Sequence, residues 1–599
     1  MAPISEALIF SFKSSKNSDD PGEKKIESFK VASSIMDAPL LSNTVEGAVD
    51  YQGRPAIRSK TGRWRSSGFI IGVEIAERFS YCGIGSNLIT YLTGPLKQTT
   101  VSAAVNVNTW SGVASMTPLL GAFVADAYLG RYRTIIFASL LYVLGLGLLT
   151  LSTMIPTFSP PNCHNNINMT SCHPPQYQII FFFSSLYLVA LAQGGHKPCV
   201  QAFGADQFDG QHPEECKSKS SFFNWWYFGM CGGIVFSNLI LIYIQDNLNW
   251  SLGFGIPCVC MIVALVVFLF GTNIYRYSFN DDNDNPFRGI VQVFVAAVRN
   301  RLATPPPATV DEEGGGTLPL QGANQFRFLD KALVTVSENS KKDWVVCSVN
   351  QVEEAKALLR LVPIWAACLI FAAVNAQSST FFTKQGATMD RTIWSGFQIP
   401  PASLQTFINL SIFIFMPFYD RVLIPIARVF TKKPSGITTL QRIGTGIVLS
   451  TISMVVAALV EKKRLQTAID SKIVDIPEAA VPMSVWWLVP QYILIGIADA
   501  FTMVGLQEFF YDEMPKGLKS LGLALYLSIF GVGSFLSSFL VSTIEKLTGE
   551  YGHDSWFSNN LNRAHLDYFY WLLLGLSALG LLFYLYFAKS YVYSRGYIL

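Results

Sequence analysis

The chain has 599 residues, of which 50% are apolar and 13% aromatic but only 14% charged, and its formal net charge is +3. This composition excludes an ordinary soluble multidomain enzyme and is typical of a protein that crosses a membrane several times. The small net charge, with no Lys and Arg run interleaved with aromatic residues, argues against nucleic-acid binding.

The chain begins with a polar segment, residues 1–66, which mixes Ser, Lys, Asp, Glu, Gly and Pro and contains few large apolar side chains. We predict that this segment is a disordered cytoplasmic tail. It has no early apolar run of the length found in signal peptides.

Apolar runs close to the ~20 residues that cross a bilayer follow the tail. The twelve runs lie at 67–92, 105–126, 133–155, 178–200, 221–243, 249–270, 356–382, 398–420, 437–461, 483–510, 517–541 and 567–588. Runs of this length and apolarity satisfy their backbone hydrogen bonds in lipid as helices. The sequence therefore predicts an all-α membrane protein with twelve transmembrane helices.

The first run contains three ionisable residues, Glu74, Glu77 and Arg78. On a helix they stand at i, i+3 and i+4 and share one face. Three charges facing lipid would cost on the order of 10 kcal/mol, so they must face protein or water. Arg78 can neutralise one glutamate, and the remaining carboxylate can carry a proton. The alternative is an ion pair or helix-end cluster that only fixes packing.

A charged turn occurs twice, six runs apart. Asp126, Arg131 and Arg133 lie between the second and third runs, and Asp420 and Arg421 lie between the eighth and ninth. We interpret these turns as gating hinges of two six-helix bundles, 67–270 and 356–588, with a binding site at their interface. Ordinary positive-inside turns would explain the arginines but not the aspartates.

The loop after the third run lacks Lys and Arg and is expected on the outer side. Cys163 and Cys172 flank the glycosylation sequon at Asn168 there, so a glycan and a disulfide are possible. The histidines and the other cysteines form no HxxH, HExxH or CxxC pattern, and no metal site or other cofactor is expected beyond protons as the coupling ion.

Two further charges lie inside runs, Lys197 in the fourth and Glu508 in the tenth. Neither has an opposite charge on its own helix at i±3 or i±4, so each needs a partner from another helix. One lies in each half, and we predict that they form an ion pair between the bundles. Alternatively, Glu508 lies at the membrane surface beside Asp512 and Glu513.

The segment 271–355 is predicted to be a cytoplasmic middle loop with an amphipathic helix near Val291–Val298. Basic residues are concentrated in the tail, this loop and the hinge turns, so the positive-inside rule places both termini, including the 589–599 tail, in the cytoplasm. Lys462, Lys463 and Arg464 are exceptions to this rule.

Four separated motifs then carry a family resemblance: Glu74-x-x-Glu77-Arg78-Phe79, the segment 204–209 (GADQFD), the segment 223–228 (FNWWYF) and 490–492 (PQY). They closely match signatures of the proton-dependent oligopeptide transporters, and the chain most resembles their plant nitrate and peptide transporter branch. The resemblance extends from about residue 53 to residue 588. It implies the major facilitator fold and proton-driven movement of nitrate, peptides, hormones or glycosides.

The resemblance also implies residue roles. Glu74, Glu77 and Arg78 would couple protons, Lys197 and Glu508 would form the ion pair between halves, and Tyr81 would line the cavity. Cys231 stands where peptide transporters carry a peptide-holding asparagine segment, and Asn375 stands where the best-known nitrate transporter of this branch has its nitrate-binding histidine. These departures argue against peptide transport and against nitrate binding by that route.

Thr134 follows Arg131 and Arg133 in a pattern that basophilic kinases accept, and the resemblance implies a regulatory phosphosite there. The alternative is a plain threonine at the start of a helix. A regulatory kinase is therefore a candidate partner.

The sequence favours a proton-coupled symporter that carries a small anionic or polar solute into the cytoplasm, across the plasma membrane or the vacuolar membrane. A sensor or receptor with a transporter fold is the alternative. An integral-membrane enzyme is excluded because no nucleophile and base pair, metal cluster or phosphate-binding loop occurs.

Overall fold

The computed structural model describes residues 44–154, 175–209, 212–278, 286–301, 326–333, 347–394, 397–431, 437–476, 479–514, 519–549 and 555–591. Its α-helices, in chain order, are α1 Arg63–Gly85, α2 Leu88–Thr93, α3 Thr100–Val124, α4 Arg131–Met154, α5 Gln176–Ala205, α6 Pro213–Phe236, α7 Ile242–Asn247, α8 Trp250–Phe270, α9 Pro286–Arg299, α10 Val349–Ala367, α11 Leu369–Asn375, α12 Phe381–Ala387, α13 Thr406–Phe418, α14 Ile424–Thr431, α15 Thr439–Asp470, α16 Val489–Asp512, α17 Lys519–Gly549 and α18 Leu566–Ser590.

Short strands connect some of these helices. They are β1 Thr44–Val49, β2 Pro55–Ile57, β3 Tyr277–Ser278, β4 Met389–Asp390, β5 Thr392–Trp394, β6 Phe397–Gln398 and β7 Val481–Ser484. The strands β2, β1 and β3 form one antiparallel sheet, β4 pairs with β7 in parallel, and β5 pairs with β6.

The helices match the predicted membrane runs. Within the described residues, nine helices are long and apolar enough to cross a membrane, and the bent pair Val349–Ala367 and Leu369–Ala387 makes a tenth. The first two predicted runs coincide with α1 and α3, which have 23 and 25 residues but carry too many charged or polar side chains for that criterion. Each of the twelve predicted runs therefore overlaps a helix.

The two hinge segments share an unusual backbone. The turns Ala125–Leu129 and Tyr419–Leu423, which contain Asp126 and Asp420, are both π-helical. A π-helical turn is rare and costs hydrogen-bond geometry, so its occurrence at equivalent points of both halves supports the predicted internal repeat. We call the described residues 63–278 the N-half and 347–591 the C-half.

Glycines allow α3 and α5 of the N-half to pack closely. A Cβ atom on Gly121 of α3 would lie 2.1 Å from the carbonyl oxygen of Gly194 of α5, and one on Gly194 would lie 2.4 Å from Thr117 Cβ. No side chain fits such distances, so these glycines let α5 lie directly against α3 and fix the depth of the residues that follow on α5.

The disordered tail predicted for residues 1–66 was wrong for its last part. Residues 44–57 form the β1–β2 hairpin, and β1 pairs with β3, the strand that follows α8 in the chain. The helix α1 begins at Arg63 rather than at residue 67. Arg58 contacts Asp209 at 2.6 Å, and Arg63 and Arg276 contact Glu215 at 3.0 and 2.6 Å. These partners lie far away in sequence, so local composition gives no signal of this order.

Glu215 is the centre of this group of charged contacts, which we call the inner clasp and which includes Arg58, Arg63, Asp209 and Arg276. Burial acts to raise the pKa of its carboxyl, but hydrogen bonds from Arg276, the Asp209 amide and Arg63 prevail and lower that pKa to about 2. The carboxylate is therefore ionised at all physiological pH values and holds the hairpin to the N-half.

The middle loop contains the predicted amphipathic helix, α9. Its buried residues Val293 and Ala297 share an apolar cluster with Leu329, Ala332, Cys347, Val352 and Ala355, and Ile290 belongs to the cluster of Leu361 and Ile364. On the other face Val291, Val295 and Val298 are exposed. The C-half also starts earlier than predicted, at Val349 rather than 356, because Ser348 and Gln351 form a capping box that begins α10 before the membrane run.

The two halves meet on the side opposite the hairpin, which we call the outer side. Hydrogen bonds cross between the halves there, from Lys384 Nζ to Thr93 Oγ1 (3.0 Å), from Gln405 Nε2 to the Ser86 carbonyl (2.9 Å) and from the Thr100 amide to Asn559 Oδ1 (2.9 Å). Further pairs along α3 and α17 extend this outer seam. The protein is thus closed toward the outer side.

Candidate functional site

The charged triad of α1 is buried between helices of the N-half. Glu74, Glu77 and Arg78 are 2%, 0% and 6% exposed. Arg78 Nε lies 2.7 Å from Glu74 Oε1 and 3.1 Å from Glu77 Oε2, so one guanidinium serves both carboxylates. Tyr142 of α4 donates to Glu77 Oε1 at 3.3 Å. Two acids sharing one base leave one negative charge that a proton or another cation can neutralise.

Lys197 of α5 supplies a second cation to this group. It lies close enough to Arg78, Glu77 and Glu74 to interact with all three. The N-half site therefore contains two carboxylates and two cations, and protonation of either glutamate leaves it with a net positive charge. An anionic group of a solute would be attracted to the site in that state.

Tyr81 lies one turn beyond the triad and is held by an aromatic neighbour. Its ring stacks on Trp110 of α3, with 5.2 Å between the centroids, and Trp110 Nε1 donates to the Leu186 carbonyl at 3.0 Å. Tyr81 remains partly exposed, which fits the cavity-wall position that the resemblance implies.

The C-half contributes a carboxylate that the sequence reasoning missed, Asp499 of α16. Its Oδ1 accepts a hydrogen bond of 2.5 Å from Asn375 Nδ2 of α11, and its side chain is buried. The amide of Asn375 is thus engaged by an acid, and its role in the substrate cavity stays a prediction. Asp499 could have been found because it lies near the middle of the tenth run, where a charge is most costly.

Aromatic hydroxyls from both halves surround Asp499. Tyr526 of α17 and Tyr227 of α6 both interact electrostatically with it, and Tyr227 hydrogen-bonds with Cys231. Cys231 is buried behind Tyr227. The interface between the halves therefore presents phenol, amide and carboxylate groups on the C-half side, which can bind hydrogen-bond donors of a polar solute.

The predicted ion pair between Lys197 and Glu508 is not formed in this structure. Glu508 instead lies 3.6 Å from Arg442 of its own half, and its side chain is 50% exposed. Arg442 also lies 4.5 Å above the ring of Tyr419. Glu508 stands in the last turns of α16 near the inner side, too far along the helix to belong to the buried site, as the surface alternative predicted.

The inner hinge residues have separate roles. Arg131 forms an ion pair with Asp206 at 2.5 Å, which ties α4 to the end of α5, and the Arg442 pair with Glu508 occupies the equivalent place in the C-half. Arg133 and Arg421 are exposed. The side chains of Asp126 and Asp420 lie outside the described residues. The charged pairs of the two inner ends thus stay within their own halves.

Of the three predicted modification sites, the structure describes Thr134. Thr134 is 5% exposed and its hydroxyl donates to the Gly130 carbonyl at 2.9 Å, so a kinase could reach it only after this turn opens. Asn168 and the pair Cys163 and Cys172 lie outside the described residues. These sites stay predictions.

Of the three exceptions to the positive-inside rule, Arg464 is buried, whereas Lys462 and Lys463 are exposed. Arg464 is 0% exposed, lies 2.7 Å from Glu461 and donates to Asn562 and to the Leu561 carbonyl. Lys463 lies 3.5 Å above the Trp487 ring. The charge of Arg464 is therefore neutralised inside the protein, so counting it as a loop charge gives the wrong signal.

No group of three or more His, Cys, Asp or Glu in the described part of the chain is placed to hold a metal ion.

Comparison with known proteins identifies relatives over most of the chain. The model of the POT family (PTR2) matches residues 132–557. Protein NRT1/PTR FAMILY 5.10 of Arabidopsis thaliana is 63% identical over 557 residues, covering 93% of this chain and 97% of the relative. Protein NRT1/PTR FAMILY 5.14 of the same plant is 56% identical over 560 residues, covering 93% and 98%.

Solved structures have the same fold at low identity. An auto-inhibited POT family peptide transporter is 20% identical with a TM-score of 0.65 and covers 89% of this chain and 98% of its own. The POT family transporter PepTSo is 20% identical with a TM-score of 0.64, covering 88% and 98%. The predicted all-α, two-bundle major facilitator fold is confirmed, and the chain is a multi-pass membrane protein and not an enzyme. It belongs to the POT family, as a transporter of the NRT1/PTR type.

Proposed function

We propose that this protein is a proton-coupled symporter that moves a small anionic or polar solute, such as nitrate, a hormone, a glycoside or a peptide, into the cytoplasm by alternating access. The observation that supports it most is the buried N-half group, in which Arg78 is shared by Glu74 and Glu77. A carboxylate that loses its ion partner in a buried site readily binds a proton. Proton binding to a glutamate then releases its arginine or lysine partner for the solute, so that proton binding favours solute binding.

The solute would lie between this group and the C-half residues Asn375, Asp499 and Tyr526. Protonation of a glutamate frees a cation in the N-half, which can bind a negative or polar group of the solute. The Asp499 and Asn375 pair, joined at 2.5 Å, offers acceptors to the solute's hydroxyl or amino groups. A solute with an acidic group at one end and hydrogen-bond donors at the other fits both halves best.

The proton gradient supplies sufficient energy. One charge moving through 100 mV supplies about 2.3 kcal/mol, and one pH unit adds about 1.4 kcal/mol. Together they support an accumulation of several hundred-fold for a neutral solute carried with one proton. The membrane is either the plasma membrane or the vacuolar membrane, because both separate an acidic compartment from the cytoplasm.

Uptake and current measurements in a heterologous cell test this proposal. A panel of four probes, nitrate, a dipeptide, a plant hormone and a glycoside, would be offered at an outside pH of about 5.5 and about 7.5, a difference worth about 2.7 kcal/mol per proton. We expect inward current and uptake of at least one probe, larger at the lower pH. Uptake that is independent of pH, or binding without transport for every probe, would contradict the symport proposal, and the second result would favour a sensor.

A further inference from the structure

The histidine next to Lys197 is buried without hydrogen bonds. His196 of α5 is 0% exposed, and neither of its ring nitrogens has a hydrogen-bond partner among the described residues. Leaving a buried polar atom unpaired costs about 1–3 kcal/mol. Such a position calls for a reason that packing alone does not provide.

The surroundings of the imidazole are those of the charged triad. Glu74 and Arg78 of α1 interact with it electrostatically. The Tyr142 ring of α4 lies edge-on, 6.3 Å between centroids, and the hydroxyl of that tyrosine donates to Glu77. Lys197 follows on the same helix.

The other helices that pack on α5 add no charge near the imidazole. The sequence of α3 contains no titratable side chain. The helix α6 touches α5 near its inner end, where Phe222 packs against Gly204. His196 is therefore coupled to Glu74 and Arg78 of the triad.

Two more buried atoms close to His196 have no partner. They are Glu74 Oε2 and Gln193 Oε1, the latter one helical turn before His196 on α5. Several unpaired donors and acceptors around one point are the usual environment of an ordered internal water. An imidazole can donate from one nitrogen and accept at the other, so it can join such a water to a carboxylate.

We propose that His196 is a further proton-carrying residue of the coupling site, placed between internal water and Glu74. An incoming proton binds the free ring nitrogen, and the proton on the opposite nitrogen leaves to the Glu74 carboxylate through an internal water, since no direct hydrogen bond joins the two side chains. The imidazole ends neutral, in its other tautomer, and Glu74 ends protonated. Arg78 disfavours a lasting imidazolium, so the ring passes the proton on rather than storing it. This proposal rests on the proposed symport.

The test uses the full-length protein reconstituted in liposomes, with the probe from the four-member panel that the wild type accumulates. His196→Gln keeps a polar side chain of similar size but cannot titrate. We expect pH-driven accumulation to slow on the order of tenfold or more, with an altered pH profile, while solute counterflow at equal pH stays within about twofold. His565→Gln, at an exposed outer histidine, is the matched control and should leave both rates unchanged.

The following outcomes of the His196→Gln experiment would overturn the proposal. Equal slowing of accumulation and counterflow by His196→Gln would show a structural role and overturn the proposal, and so would an unchanged pH profile. If His196→Gln does not reach the membrane, His196→Asn and His196→Leu replace it, and normal coupling in either overturns the proposal. A wild type without pH-driven accumulation overturns the symport as well, whereas a normal wild type with a normal His196→Gln overturns the histidine step alone.

Discussion

Replacing Glu77 by glutamine should separate proton coupling from solute movement. The Glu77 Oε2 atom lies 3.1 Å from Arg78 Nε, an attraction of about 5 kcal/mol at an effective dielectric constant of about 20. Glutamine keeps the shape and can still accept from Tyr142, and Arg78 keeps Glu74 at 2.7 Å. The variant should therefore fold, but it loses one proton site.

The expected loss of solute accumulation in Glu77→Gln follows from the size of the pH gradient. Across two pH units, one coupled proton supplies about 2.7 kcal/mol, or an accumulation of about 100-fold. In Glu77→Gln liposomes this ratio should fall toward one, while counterflow exchange persists. Glu461→Gln is the matched control, because Glu461 is also 0% exposed and paired with an arginine but lies in the outer C-half. Undiminished pH-driven accumulation in Glu77→Gln would refute the reasoning.

Three further changes test other parts of the structure. Glu215→Gln should lower the melting temperature of the purified protein at neutral pH. Because the native pKa of Glu215, about 2, is below its usual 4.5, the difference from wild type should be complete above pH 4.5 and shrink as the pH falls toward 2. A difference that does not depend on pH would argue against the stabilising role of this carboxylate. Asp499→Asn should reduce uptake on the order of tenfold or more, whereas Glu508→Gln should change it less than about threefold, since only Asp499 lies in the buried site. A larger loss of uptake in Glu508→Gln than in Asp499→Asn would show that Glu508 belongs to the site. Lys384→Met removes one hydrogen bond of the outer seam, worth about 1 kcal/mol. An impermeant thiol reagent should therefore label Ser86→Cys several times faster in the Lys384→Met background than in the Lys384 background. Equal labelling would show that the bond does not hold the seam closed.

The residues that could be predicted from sequence are those whose relation is local. Glu74, Glu77 and Arg78 stand at helical spacing, so their common face and mutual pairing follow from the backbone alone. The contact between Asn375 and Asp499 joins residues 124 positions apart, and no periodicity reports it. It depends on how α11 and α16 pack.

The error at Glu508 has a related cause. Apolar runs mark which segments cross the membrane but locate their ends only within a few residues, and depth decides whether a charge is buried. Asp499 lies near the middle of α16 and Glu508 lies near its end, and Arg442 of the neighbouring helix neutralises the latter. The β1–β2 hairpin was missed because its partners, Asp209 and the β3 strand, come from distant parts of the chain.

The chemistry of the outer seam has a consequence for the conditions in which the protein can work. Its cross-links are an ammonium bonded to a hydroxyl, amides bonded to carbonyls, and serine and asparagine pairs. In addition, Asp246 of the N-half and Arg391 of the C-half attract each other as opposite charges. Salt screens attraction between opposite charges but hardly affects neutral hydrogen bonds. Concentrated electrolyte should therefore weaken the attraction between Asp246 and Arg391 and favour opening toward the outside, while the neutral hydrogen bonds of the outer seam stay nearly unchanged.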